Sequence, residues 1–296
     1  MDKRNAKGWL YLLPAIAFLG VFMVYPLVDV FVYSFEEGYN SASQTFSGVG
    51  LFNYRYVLRD PYFLQALKNT FILVIITVPV STGLALLISL GLSSIEKLRG
   101  LFQTVYFLPY VTNTLAVGLV FMILFKKTAY TDGLVNVMLH WFGSPGVDFI
   151  DGPYWAKMFV LCFYTVWIVM PFKILILPSA LASVNQTYYN AARVDGTSNW
   201  QYLWRIMVPM AKPALVTIGI LNAIACWNSF LWTVMATNKT EVRTLPFGLY
   251  AFMSSSGIRY ERLMAAATIV VLPMILLFIC FRKQIVTGVS RGGLKG

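Results

Sequence analysis

Two groups of residues in this 296-residue chain have side chains suited to holding a polyhydroxylated ring. One is Tyr110 with Thr112 and Asn113, directly after Pro109. The other is Asn222 followed by Trp227-Asn228-Ser229-Phe230-Leu231-Trp232. Aromatic faces offer apolar contact to ring C–H groups; amides and hydroxyls offer donors and acceptors to ring hydroxyls. Plain packing and an interfacial aromatic belt use the same residue types. A spacing of five puts Trp227 and Trp232 on different sides of a helix, so they cannot both face one path. Lys173 is a third candidate. A cation inside an apolar run costs on the order of 2.5–3.5 kcal/mol, so it either snorkels to the headgroups or forms a basic patch for an acidic solute. Asp29 lies near the end of the first apolar run, within reach of water. The only histidine, His140, falls in a loop, and Cys162, Cys226 and Cys280 lie in apolar runs without ligand spacing, as small core residues do. No metal, cofactor or enzymatic centre is expected.

The elements that position these residues follow from composition. Apolar residues make up 58% of the chain and charged ones 12%, with mean hydropathy +0.68. Soluble domains are about 45–50% apolar and about 25% charged, so this composition calls for a bilayer. Six apolar runs, approximately 10–35, 69–92, 104–125, 155–177, 213–236 and 263–281, each match the roughly 20 residues of a transmembrane helix. The expected fold is an all-α integral membrane protein of six helices in one domain, 1–296. Strand alternation is absent, and backbone groups in lipid must pair within their own segment. Prolines 14, 26, 79, 109, 171 and 273 interrupt the runs, tolerable where neighbouring helices or water satisfy the freed carbonyls. The first run is too long, and lacks the small-residue site, for a cleaved signal.

The net charge of +11 does not call for nucleic acid, because the basic residues gather at run ends and in short loops. With the N-terminus inside, the inner segments 1–9, 93–103, 178–212 and 282–296 hold Lys3, Arg4, Lys7, Lys97, Arg99, Arg193, Arg205, Lys212, Arg282, Lys283, Arg291 and Lys295. The outer segments are longer and hold fewer, which predicts both termini inside. Two outer segments, 36–68 and 126–154, are long for connectors. In the second, Leu134, Val137 and Met138 share one helical face and predict a short interfacial helix.

The inner segment 178–212 has its own pattern. Asn190-Ala191-Ala192 is followed after three residues by Gly196, after nine more by Ile206, and then by Pro209. Ala191 and Ala192 give a smooth helix face, and Gly196 suits the left-handed residue that ends a helix. From Tyr188 to Val194 such a helix is only about 10 Å long, too short to stand alone. This spacing resembles the signature loop of permease subunits of binding-protein-dependent ABC importers, in which Glu-Ala-Ala is followed by Gly, Ile, Leu and Pro. Asn190 replaces the Glu, and Val208 the Leu. Tyr25-Pro26-Leu27, Gly50-Leu51 with Asn53-Tyr54, Asn69-Thr70, Leu108-Pro109-Tyr110, the Trp227–Trp232 stretch and the tail from Gly288 to Gly296 extend the resemblance to the carbohydrate-type permeases of the maltose class.

The resemblance implies the type I importer permease fold, with a cytoplasmic coupling helix formed by Asn190, Ala191, Ala192, Arg193, Asp195 and Gly196 and followed by Ile206 and Pro209. It implies a second permease subunit, two ATP-binding subunits and an extracytoplasmic solute-binding protein as partners, in the cytoplasmic (inner) membrane of a bacterium or archaeon. A sugar or related solute would cross along a path for which Tyr110, Asn113, Lys173, Asn222, Trp227, Asn228 and Trp232 are the candidates. The chain carries no G-x-x-x-x-G-K-[ST] phosphate loop, so ATP falls to other chains. The rival reading, an ion-coupled secondary transporter, calls for paired intramembrane carboxylates or histidines, and a single acid, Asp29, lies within an apolar run.

Overall fold

The computed structural model describes residues 3–40, 43–93, 95, 99–182, 186–236, 239–254 and 259–293. Lys97 and the tail residues Leu294, Lys295 and Gly296 lie outside them. The chain runs α1 (Lys3–Leu19), a wider-turned segment Gly20–Val24 and α2 (Tyr25–Tyr33). A two-stranded hairpin follows, β1 (Glu36–Glu37) against β2 (Gly48–Val49), and then α3 (Phe52–Val57) and α4 (Pro61–Ser93). Next come α5 (Arg99–Val111), α6 (Thr114–Phe125), α7 (Leu134–Trp141), α8 (Tyr154–Ala182), α9 (Gln186–Val194) and α10 (Asn199–Tyr202). A wider-turned segment Leu203–Met207 leads into α11 (Val208–Trp227), then α12 (Leu231–Ala236), α13 (Leu245–Ser254) and α14 (Tyr260–Gly293). Among the described residues five helices are long and apolar enough to cross a membrane: Gly8–Tyr33, Pro61–Leu92, Tyr154–Leu181, Asn199–Trp227 and Tyr260–Ile285. A sixth candidate is the pair α5 and α6, bent by 94°.

Three sequence-derived boundaries need correcting, each for a local reason. The second helix starts at Pro61, not near residue 69, because Asp60 caps it. Its Oδ1 accepts the Tyr62 and Phe63 N–H groups at 2.8 and 2.9 Å, and Pro61 fits the first helical position. The third run, 104–125, breaks in the middle. Beyond Pro109, Asn113 leaves helical geometry and its Oδ1 accepts the Leu115 N–H at 2.9 Å as the cap of α6. The fifth helix is Asn199–Trp227, not 213–236. It begins at a capping box in which Ser198 and Gln201 satisfy each other's backbone N–H groups, and it ends at Asn228. The short helix expected around Leu134, Val137 and Met138 is α7. Cys162 and Cys226 are buried, but Cys280 is exposed.

The described residues form two compact units, Met1–Leu64 with Gly248–Ile275 and Gln65–Phe247 with Leu276–Gly296. In the first, Asn53 ties α3 to the chain that leaves α2. Its buried Nδ2 donates to the Ser34 and Glu36 carbonyls at 3.1 and 2.9 Å, while Ser34 and Tyr54 share a hydroxyl hydrogen bond of 2.6 Å. Gly50 lies close to the Glu37 carboxylate, which a Cβ there would push aside.

In the second unit, one apolar cluster joins Leu73, Val117, Phe121, Phe125, Leu161, Tyr164 and Trp232; another joins Ala85, Leu86, Ile174, Leu177, Ala211 and Ile218. A polar clasp adds to them. The buried Asn69 donates to the Glu241 and Arg243 carbonyls, both at 2.8 Å, and accepts from Tyr154 Oη at 2.8 Å. Thr70 Oγ1 accepts the Leu245 N–H at 2.8 Å, and Lys157 pairs with Glu241 at 3.0 Å. A buried amide with its partners made holds a loop firmly, because leaving them unmade costs about 1–3 kcal/mol each.

Candidate functional site

The cavity at the end of α11 arises from a break in an apolar helix. After Trp227 the chain turns through Asn228, Ser229 and Phe230 before α12 begins at Leu231. Asn228 caps the break by donating Nδ2 to the Ile224 carbonyl at 2.9 Å, and the Ser229 carbonyl accepts from Thr244 Oγ1 at 2.9 Å. Non-helical backbone at membrane depth is tolerated where it is buried in protein or lines a cavity. Here it lines one of about 440 Å³, together with Thr114, Tyr164, Thr165, Ile168, Val169, Cys226 and Trp232. Tyr164 and Trp232 stack face to face, 3.9 Å between ring centroids and 24° between planes, and Phe121 meets both edge-on. Gly118 lets α6 approach this stack: a Cβ there would sit 3.3 Å from the Trp232 ring. The Trp232 Nε1 is shielded from water and makes no hydrogen bond among the described residues. The cavity thus sets amide and hydroxyl groups beside a buried aromatic stack.

The predicted path residues separate into three places. Asn228 and Trp232 line the cavity. Trp227 is buried and packs edge-on against Phe71 at 5.2 Å, outside the lining; the helix break between it and Trp232, not a spacing of five along one helix, sets their directions. Tyr110 is exposed and stacks on Phe172 at 5.6 Å, and Asn113 serves as the α6 cap. Lys173 and Asn222 meet in a buried polar cluster. The Lys173 ammonium donates to Ser81 Oγ and, at 2.9 Å, to Thr82 Oγ1; Asn222 Nδ2 donates to Ser81 Oγ at 3.2 Å. Lys173 is 1% exposed, so it does not snorkel, and none of the ion pairs among the described residues includes it. Asn222 Oδ1 reaches Cys226 Sγ at 3.5 Å, which places this cluster beside the cavity lining.

The loop around Gly196 has the geometry its glycine calls for. Helix α9 closes with two crossed hydrogen bonds, Thr197 N–H to the Ala192 carbonyl at 2.9 Å and Gly196 N–H to the Arg193 carbonyl at 3.2 Å. Gly196 has φ +70°. Together these make a Schellman end, which needs a residue free to be left-handed. Asn190, Ala191, Arg193 and Asp195 are exposed, and so is Val194, at 89%. Ala192 is buried against its own chain, beside the edge-on pair Tyr189–Tyr202; the small outer face is therefore Ala191 with Val194. Ile206 is half-buried in the wider-turned segment, and Pro209 is exposed in the first turn of α11.

Residues 81–291 match the family described as the binding-protein-dependent transport system inner membrane component. The chain belongs to this family. The lactose transport system permease protein LacF of Rhizobium radiobacter is 34% identical over 230 residues, covering 76% of this chain and 74% of LacF. The arabinooligosaccharides transport system permease protein AraP of Halalkalibacterium halodurans is 28% identical over 294 residues, covering 99% and 91%. The solved bacterial alginate ABC transporter, in complex with an alginate pentasaccharide-bound periplasmic protein, contains a chain of the same fold. Its TM-score is 0.75 at 21% identity, with 96% of each chain covered.

The matched stretch of this permease holds α9, the Lys173 cluster and the cavity. Sequence reasoning missed Thr114, Tyr164 and Thr165 in the lining and Ser81 and Thr82 around Lys173. Ser81-Thr82 carried a usable signal, since two hydroxyls in mid-run are natural partners for a lysine that must be satisfied in lipid. Tyr164 carried none, because an aromatic residue in Phe163-Tyr164-Thr165-Val166-Trp167 reads as packing until Trp232 is placed against it.

Proposed function

We propose that this permease forms, with a second permease subunit, the path of an ATP-driven importer for a sugar, six-spanning with both termini cytoplasmic, all 296 residues making one membrane domain. The observation that carries the reading is the helix break at Asn228–Phe230, opening on a cavity floored by the Tyr164–Trp232 stack. A sugar entering this cavity meets the Asn228 amide and the hydroxyls of Thr114, Thr165 and Ser229 beside the buried aromatic stack. The lactose and arabinooligosaccharide relatives support the same solute class. Two ATP-binding subunits take the cytoplasmic loop: α9, a short rigid knob ending at Gly196, seats in one of them and passes its movement to α11. The charge pattern supports this orientation, and the long segments 36–68 and 126–154 then face the binding protein.

The test is uptake by proteoliposomes holding the permease pair and the ATPase subunits. Radiolabelled lactose and arabinooligosaccharides should enter only when ATP is enclosed and the loaded binding protein is outside. Uptake driven by a proton or sodium gradient without ATP would make the chain a secondary transporter instead.

A further inference from the structure

A second cleft, of about 480 Å³, lies in the segment between the hairpin and α4, lined by Phe52, Arg55, Tyr56, Arg59, Asp60 and Pro61. Residues 52, 55, 56 and 59 are spaced i, i+3, i+4 and i+7, one stripe of α3 and the turn that follows it, so this stripe alternates rings with guanidinium groups. The opposite stripe, Asn53 and Val57, is buried. From the first turn of α14, Arg262 lays its guanidinium 3.9 Å from the centre of the Tyr56 ring and 5.9 Å from that of Phe52. Its Nε is shielded from water and makes no hydrogen bond among the described residues.

Arg55 and Arg59 thus line the cleft, Arg262 lies over its two rings, and one carboxylate, Asp60, shares the lining. Asp60 Oδ1 is held by the Tyr62 and Phe63 N–H groups, and Glu37 Oε1 by the Phe52 N–H at 2.9 Å. None of the ion pairs among the described residues includes Arg55, Arg59 or Arg262. With three guanidinium groups against the single Asp60 carboxylate of the lining, the cleft keeps an excess of positive charge that calls for an anionic occupant. Arginine with tyrosine and phenylalanine, on a helix whose back is locked, is the composition of an energetic centre in a protein interface. We propose that this cleft seats an aspartate or glutamate side chain of the extracytoplasmic binding protein, the guanidinium forks taking the carboxylate in pairs and the rings excluding water around it. The inference rests on the orientation proposed above and adds to it the place and charge of the contact.

The experiment uses the complete transporter in nanodiscs containing phosphatidylglycerol, with its loaded binding protein titrated at low and at physiological ionic strength. Arg55→Glu with Arg59→Glu should weaken binding by about tenfold or more and flatten its salt dependence. Arg55→Gln with Arg59→Gln, gentler to the fold, should do the same to a lesser degree. Basal ATPase activity and melting of the complex should be unchanged. A lysine at one carboxylate of the binding protein's docking face should restore affinity to the charge-reversed permease only. Equal affinities for wild type and both variants would overturn the proposal while leaving the importer reading intact. Loss of bound phosphatidylglycerol in native mass spectrometry, at unchanged binding-protein affinity, would overturn it in favour of a lipid headgroup. Failure of the wild-type complex to bind any binding protein would instead bring down the orientation and partner reading on which the proposal rests.

Discussion

The α9 loop and the cavity are built by opposite means. Helix α9 and its stop are local: the hydrogen bonds that close it join residues three to five apart, and its decisive feature is one backbone angle, φ +70° at Gly196. The cavity is assembled from distant pieces, with Thr114, Tyr164 and Trp232 brought together by α6, α8 and α12. A part that has to be offered rigidly to another protein can be written into a few consecutive residues. A part that has to enclose a solute needs walls from several helices. The two regions should therefore fail differently, one through backbone conformation and the other through side-chain volume.

The largest effect is expected in the loop. Gly196→Val forces a left-handed conformation on a β-branched residue, although a Cβ there would meet nothing within 4 Å. Uptake should fall by roughly a hundredfold, because the proposed knob would be displaced at its end, while membrane abundance stays normal. Gly196→Asn tolerates that conformation and should transport near the wild-type rate. Equal uptake by the two variants would show that the backbone angle does not matter and would break the comparison. Ala191→Glu, on the exposed face, should weaken ATPase-subunit capture in a pull-down without lowering the melting temperature. Ala192→Glu should lower it, since Ala192 is buried.

Next in size is the cavity stack. Trp232→Ala removes a buried ring and should destabilise the fold by about 3–5 kcal/mol, read as a lower melting midpoint in detergent, with uptake lost. Trp232→Phe, which keeps a ring but drops the indole N–H, should retain most of the stability and raise the KM for sugar. A smaller loss, on the order of 1–3 kcal/mol, is expected for Asn69→Ala, which strands the Glu241 and Arg243 carbonyls. Smallest is Asn228→Ala. Its stability cost should be within about 1 kcal/mol, and the readout that moves should be KM rather than melting; unchanged KM would take Asn228 out of the path.

How far each region was legible follows from the same contrast. Gly196 could be placed in advance because a helix stop is written in adjacent residues, and the loop spacing carried the family. Asp60-Pro61 and Ser198…Gln201 are equally local start signals, yet hydropathy set the run limits at residues 69 and 213 and passed over them. The bend at Asn113 was hidden because apolar residues on both sides of it kept the run unbroken. Lys173 shows the limit of a one-residue reading: a lysine in an apolar run reads as snorkelling or as a solute contact, whereas Ser81, Thr82 and Asn222, on two other helices, hold it between those alternatives. The partners of Trp232 could not be read from its own helix, since stacking depends on how α8 lies against α12.

The Asn69 clasp also has a bearing on how the chain is made. Its carbonyl partners at Glu241 and Arg243 lie 172 and 174 residues later. At about 5–20 residues per second, α4 therefore waits roughly ten to thirty seconds in the nascent chain with a side-chain amide that has no lasting acceptor. Until synthesis has passed Arg243, that amide lacks the two carbonyls it donates to in the finished fold. The clasp that fixes the loop therefore forms late, after α4 and α8 are already made, and joins the early part of the chain to its last stretch.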